Sequence, residues 1–205
     1  MILTNRIIAV SAFVFLIVAA ASCAAAIDDN RSAEYWLEEA SQYYLNGSYE
    51  LALQSYNQSL TIAPSNERIW NNKGVVLQEL GWYDGALFCY NRSLEIDSSY
   101  AKAWSNKGNA LMELGRVEDA LACYNRSLAI APSIAEAWNA KGVALTALGR
   151  YDAALDSFNE SLMINSNYGE AWGNKGLVLK SLGRTKEAEI AFSRSGEDCP
   201  ACAAG

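Results

Sequence analysis

Residue types that do chemistry are thinly spread in this sequence. Histidine is absent from its 205 residues, which removes the usual proton shuttle and the commonest metal ligand. Cys199-Pro-Ala-Cys202 has the spacing of a redox dithiol. The strand–helix context such a pair needs is missing, so it reads as a tail disulfide or a crosslink to a partner. Cys89 and Cys123 lie 34 residues apart in equivalent surroundings. One structural repeat apart, they are too distant for the ~5.5–6 Å Cα spacing of a disulfide, and they read as small buried hydrophobes. Lys73, Lys107, Lys141 and Lys175 recur on a buried face; each stem packs while the ammonium reaches solvent. No nucleophile has a base beside it, the glycines are not gathered into a phosphate loop, and acidic pairs such as Glu118-Asp119 sit where a helix begins. The expectation is a protein that is not an enzyme and takes no metal and no cofactor.

Amides are more plentiful. Asparagine offers a donor and an acceptor together, so a row of them can hold the backbone of an extended peptide. Six Asn-x-Ser triplets also occur, at Asn30, Asn46, Asn57, Asn91, Asn125 and Asn159. The last four are one event copied by a repeat, pointing outward one place past a core aromatic. Asn30 and Asn46, in a lead and a loop, are the better candidates for N-glycosylation in an exported chain.

The elements that position these residues are copies of one unit. Sliding Ala101–Pro132 by 34 residues lands Trp104 on Trp36, Trp70, Trp138 and Trp172, and Ala120 on Ala52, Ala86, Ala154 and Ala188. Gly115 lands on Gly47, Gly81, Gly149 and Gly183. Such phase-locked copies make a stacked array in which each unit packs on its neighbours. Apolar residues at three-and-four spacing predict two helices per copy, about Ala101–Leu114 and Val117–Ile130 in the third. Gly115 closes the first helix in a left-handed conformation, and Pro64, Pro132 and Pro200 fall in turns between copies. Gly74, Gly108, Gly142 and Gly176 lie mid-helix, where glycine costs up to ~1 kcal/mol against alanine, so something approaches closely there. The Ala120 series marks where the paired helix comes near, and the Trp104 series is expected to fill the space between repeats.

The N-terminus is a separate object. Arg6 precedes an apolar run from Ile7 to Ala21, followed by small residues and Asp28-Asp29, which is the pattern of an export signal over 1–26. Three outcomes stay open: cleavage before Ile27, lipidation of Cys23 in the lipobox-like Ala20-Ala21-Ser22-Cys23, and retention of Ile7–Ile27 as a span. The last approaches the ~20 residues a bilayer needs. All three place the repeats outside the cytoplasm. Membrane association then runs only through the N-terminus, if it is retained or lipidated.

Trp104, Gly108, Ala120, Tyr124 and Pro132 match the order and spacing of the tetratricopeptide repeat, a family of 34-residue helix–turn–helix units that this sequence resembles from Ala33 to Pro200. Departures exist. Lysine replaces the leucine before the mid-helix glycine, Leu111 and its equivalents replace a tyrosine, and Ser98 and Ser166 replace proline. The first copy carries Glu39, Ala40 and Asn46. The resemblance implies an all-α, right-handed helical-repeat solenoid of antiparallel helix pairs. Its expected units are 33–66, 67–100, 101–134, 135–168 and 169–202, with a tail at 203–205. The second helix of the last unit caps itself through Glu189, Gly196 and Asp198 in place of Leu121, Leu128 and Ile130.

The resemblance further implies that first helices line a concave groove. Its groove places here hold Arg68, Asn71, Asn72 and Gln78; Lys102, Ser105, Asn106, Asn109 and Met112; Asn139 and Thr146; Asn174 and Lys180. The family's C-terminal carboxylate clamp is not expected, because Leu37 and Ser41 stand where its opening Lys and Asn belong. A net charge of −7 argues against nucleic acid. The expected role is an extracytoplasmic scaffold binding a protein or peptide in the groove; the other reading is a self-associating structural module. On either, replacing Asn72, Asn106 and Asn109 by Ala should move stability by within ~0.5 kcal/mol, as at exposed sites.

Overall fold

The computed structural model describes residues 31–196. The leader, Cys23, Asn30, Asp198, Pro200 and the Cys199–Cys202 pair lie outside the described residues. Ten helices follow in order: α1 (Ala33–Leu45), α2 (Tyr49–Ile62), α3 (Glu67–Glu79), α4 (Tyr83–Ile96), α5 (Ala101–Glu113), α6 (Val117–Ile130), α7 (Ala135–Ala147), α8 (Tyr151–Ile164), α9 (Gly169–Ser181) and α10 (Thr185–Ser195). The described residues contain no strand.

Three residues join the two helices of each pair, so the second must turn back along the first. Gly115 makes this turn with φ +71°. Its N–H donates to the Met112 carbonyl at 2.9 Å and that of Arg116 reaches Leu111 at 2.8 Å. These bonds close the end of α5, and Gly47, Gly81, Gly149 and Gly183 repeat the left-handed geometry. Each second helix also packs on the first helix of the next pair, so the pairs stack into a helical-repeat solenoid.

The innermost contact joins a glycine to an aromatic ring. Tyr90, Tyr124 and Phe158 are almost fully enclosed. A Cβ at Gly108 would sit 2.6 Å from Tyr124 Cε1, and at Gly142 2.5 Å from Phe158 Cε1. The close approach required by the mid-helix glycines is therefore made by this ring. The Ala120 series is buried beside it, with Ala52, Ala86, Ala120 and Ala154 wholly enclosed. Repeat one keeps Ala40 opposite Tyr56, and α1 has no earlier helix among the described residues pressing it inward.

Tryptophan has a shallower place than expected. Trp36 is buried, but Trp70, Trp104, Trp138 and Trp172 are only half-buried. Each of those four indole N–H groups donates to a turn carbonyl, at Pro64, Ser98, Pro132 and Ser166, over 2.8–2.9 Å. The acceptor is backbone, which is why serine can replace proline in two turns. The lysine ammonium of each copy lies 4.9–5.5 Å from its tryptophan ring, a cation–π contact. In repeat one Glu39 holds the lysine place, and Arg31 covers Trp36 instead at 5.1 Å.

Gly108→Ala should lower stability by about 1–3 kcal/mol, because overpacking against a ring that cannot retreat exceeds the ~1 kcal/mol gained in helix propensity. The denaturant midpoint measures it. Gly115→Ala meets no atom within 4 Å but must hold a positive φ, so it loses stability through backbone strain of about 1–2 kcal/mol.

Candidate functional site

First helices of neighbouring pairs touch directly, α3 with α5, α5 with α7 and α7 with α9, whereas second helices make no comparable contact. First helices therefore stand on the inner side of the curve, and their outward residues form the concave face. A recess there has a volume of about 430 Å³. Gln78, Asn109 and Asn139 give it amides, Met112, Ala140 and Val143 an apolar floor, and Glu113, Glu136, Glu170 and Tyr168 an acidic border. A smaller hollow of about 240 Å³ lies at the other end, between Ser41, Tyr44, Tyr56, Asn72 and Val75.

Arg68, Lys102 and Lys180 are exposed; Asn72, Gln78, Ser105, Asn106, Asn109, Met112, Thr146 and Asn174 are half-buried. Asn71 and Asn139 differ, being only 4% and 3% exposed. They lie beneath the groove floor and tie one repeat to the next. Asn106 Nδ2 donates to Asn71 Oδ1 at 2.9 Å, and Asn174 Nδ2 to Asn139 Oδ1 at 3.0 Å. Asn71 passes a bond on to Asn72 Oδ1 at 3.2 Å, and Asn139 one to Glu170 Oε1 at 2.9 Å. The expectation that Asn72, Asn106 and Asn109 can be replaced with little effect on stability is thus corrected: Asn106 bonds buried Asn71, Asn72 receives a bond from Asn71, and Asn109 receives the buried Tyr124 hydroxyl.

Other groove amides cap buried phenols. Tyr90 donates to Gln78 Oε1 at 3.1 Å and Tyr124 to Asn109 Oδ1 at 2.8 Å. Where Phe158 replaces tyrosine, Val143 stands in Asn109's place. The acceptor differs between copies, Gln78 for Tyr90 and Asn109 for Tyr124. Burial pushes the Tyr90 and Tyr124 phenols far above their ordinary value, with Cys89 and Cys123 respectively adding to it. Tyr168, at the recess, is pushed up to about 12 by burial, then by the Glu170 charge and their hydrogen bond, in which Tyr168 donates to Glu170 Oε2 at 3.1 Å.

Away from the groove, Asn57, Asn91, Asn125 and Asn159 are exposed on second helices. Their triplet serines are not. Ser59, Ser127 and Ser161 are fully buried and donate to the carbonyls of Ala33, Ala101 and Ala135 at 2.7–2.9 Å; buried Ser93 has no partner among the described residues. These hydroxyls tie each pair together from within. Asn46 is exposed at the end of α1. Glu113, Glu136, Tyr168 and Glu170 line the recess but were not among the residues the sequence placed in the groove. Glu136 and Glu170 share the repeat place of Arg68 and Lys102, so reading every copy of that place would have found them.

An array of helix pairs around an inner groove defines a helical-repeat protein of the interaction-scaffold type. Family models described as tetratricopeptide repeat match residues 105–169 and 169–195, and one described as TPR repeat matches 40–81 and 79–115. The chain belongs to the tetratricopeptide repeat family. No curated protein matches it in sequence. Among solved structures, MamA from Desulfovibrio magneticus RS-1 is 18% identical with a TM-score of 0.70, covering 80% of this chain and 92% of its own. Pseudomonas aeruginosa PilF is 21% identical with a TM-score of 0.75, covering 82% and 78%. The Cut9–Hcn1 hetero-tetramer of the APC/C is 18% identical with a TM-score of 0.75, covering 82% of this chain and 34% of that one. At these identities the likeness is one of fold.

Two outcomes follow for the buried polar network. Asn106→Ala leaves the Asn71 carbonyl unpaired and should cost about 1–3 kcal/mol in urea unfolding, beyond what an exposed amide would cost. Tyrosines whose folded pKa is raised contribute stability that is whole below the ordinary value of 10.0 and is lost as pH climbs past it. The melting temperature should therefore fall steeply above pH ~10, and Tyr90→Phe with Tyr124→Phe should flatten that fall.

Proposed function

We propose that this chain is an extracytoplasmic scaffold that holds an extended peptide or protein segment in its concave groove. The tetratricopeptide fold supports a protein-binding scaffold, and the Cut9–Hcn1 hetero-tetramer is an assembly containing a chain of this fold. The observation that carries the groove reading is the recess of about 430 Å³. It joins amides, phenol and carboxylates to an apolar floor, a mixture that can pair a peptide backbone and still seat side chains. Gln78, Asn109, Met112 and Ala140 lie at its centre; Arg68, Asn72, Lys102, Ser105, Asn106 and Asn174 extend the surface, with Asn71 and Asn139 supporting it from below. The export reading rests on the 1–26 pattern of the sequence. In an exported chain Asn46 is the described residue best placed for a glycan.

Ala140→Trp should fill the recess. Peptides selected from a random display library by the native chain should then lose at least tenfold in affinity, with helicity and melting temperature preserved. Undiminished binding would remove the groove from the account. Mass spectrometry of the native N-terminus should find cleavage before Ile27, lipid on Cys23 or a retained span in the membrane fraction; an intact cytosolic product would sink the export reading. A second reading, self-association, draws on Leu177 and Ile190, which are 57% and 56% exposed on the last helix pair. A dimer lost on Ile190→Lys would favour it.

A further inference from the structure

We propose that the groove is charge-polarised and takes an extended segment of dipolar pattern, with acidic residues over α3 and α5 and basic residues over α7 and α9. The proposal rests on the groove reading above and names its ligand. It comes from one column of the repeat. Arg68, Lys102, Glu136 and Glu170 hold the same place in successive copies, the second residue of each first helix, and all are exposed. Two cations are followed by two carboxylates along a single line.

Two tyrosines show that both halves face the same surface. Tyr168, just before α9, donates to Glu170, feels the Glu136 charge and lines the recess. Tyr100 holds the same place two copies earlier, just before α5, is half-buried, and feels the charge of Arg68 together with the opposing charge of Glu67, the residue before Arg68. Arg68 therefore stands to Tyr100 as Glu136 stands to Tyr168. The two places are equivalent by the repeat and opposite in sign along the column, each with a phenol ring on which a side chain can rest, and Lys102 adds a second cation where Glu67 offsets the first.

Helix electrostatics accounts for only half of the column. The first turn of a helix favours carboxylates and disfavours cations; Glu136 and Glu170 comply, while Arg68 and Lys102 run against it. Among the described residues neither of those two side chains has a hydrogen bond or ion pair that would explain its place. Glu113, at the far end of α5, lines the same recess as Glu136 and Glu170.

First helices in contact lie about 10 Å apart. The centres of the two charge pairs are then roughly 20 Å apart, which about six residues of extended chain span. The test uses three dye-labelled peptides, each with two charged pairs separated by four neutral residues, so that the pair centres lie about six residues apart: Glu-Glu with Lys-Lys, all Glu, and all Lys. Fluorescence anisotropy with the full chain at low salt should show the dipolar peptide binding about tenfold tighter than either uniform one. That preference should collapse in 1 M salt, where the Debye length is about 3 Å. Arg68→Glu with Lys102→Glu should make the all-Lys peptide the tightest ligand. Arg68→Gln with Lys102→Gln should weaken the dipolar one without adding charge.

Equal binding of all three peptides, or a rank order unmoved by these variants, overturns charge selection and leaves the groove standing. No binding by any of them overturns both. Sedimentation velocity covers the remaining occupant: a dimer dissolved by Arg68→Glu with Lys102→Glu, in a chain that binds no peptide, would assign the column to a second copy and overturn the peptide.

Discussion

Everything in this array hangs on a ring laid against bare backbone. Gly74, Gly108, Gly142 and Gly176 leave room for Tyr90, Tyr124, Phe158 and Phe192, and no side chain could be added at those glycines without moving an aromatic ring. The contact sets how closely two helices of a pair approach, and hence where the outer surface of the first helix lies. Because each pair packs on the next in the same way, one local distance becomes the curvature of the stack. Glycine weakens the helix that carries it, and that loss is offset by burial of a large ring.

The same ring carries polarity to the functional face. A tyrosine packed on glycine directs its hydroxyl toward the concave side, where Gln78 and Asn109 receive it. Beneath the floor, Asn71 and Asn139 bond to the amides of the next repeat. The groove is thus the exposed edge of a polar network whose inner members are structural. Substituting its amides disturbs stability, whereas its charged rim can be changed with little effect on the core. The outer face is built differently, from half-buried tryptophans tied to turn carbonyls and covered by lysine.

What the described surface offers is shape, amides and fixed charge. A binding role follows naturally from such a surface. The change of sign from Arg68 and Lys102 to Glu136 and Glu170 gives an otherwise repetitive groove a direction.

Much of this was legible in the chain itself. The 34-residue phase, the helix pairs, the glycine turns and the buried alanines follow from residue type and spacing, because a repeat states each constraint several times over and local rules then agree with one another. The lysines also read correctly as stems that pack. Three things needed the tertiary structure. Trp104 and Tyr124 are both large aromatics on apolar faces, and only the packing distance assigned the core to the tyrosine. Asn71 and Asn72 are adjacent and chemically identical, yet one is buried and one faces the groove, since a helical step of 100° separates neighbours and the bonding partner, Asn106, lies a repeat away. Glu136 and Tyr168 join one recess although 32 residues separate them. Periodicity places residues on a face of a single helix; which faces meet, and what they enclose, is decided by how the helices stack.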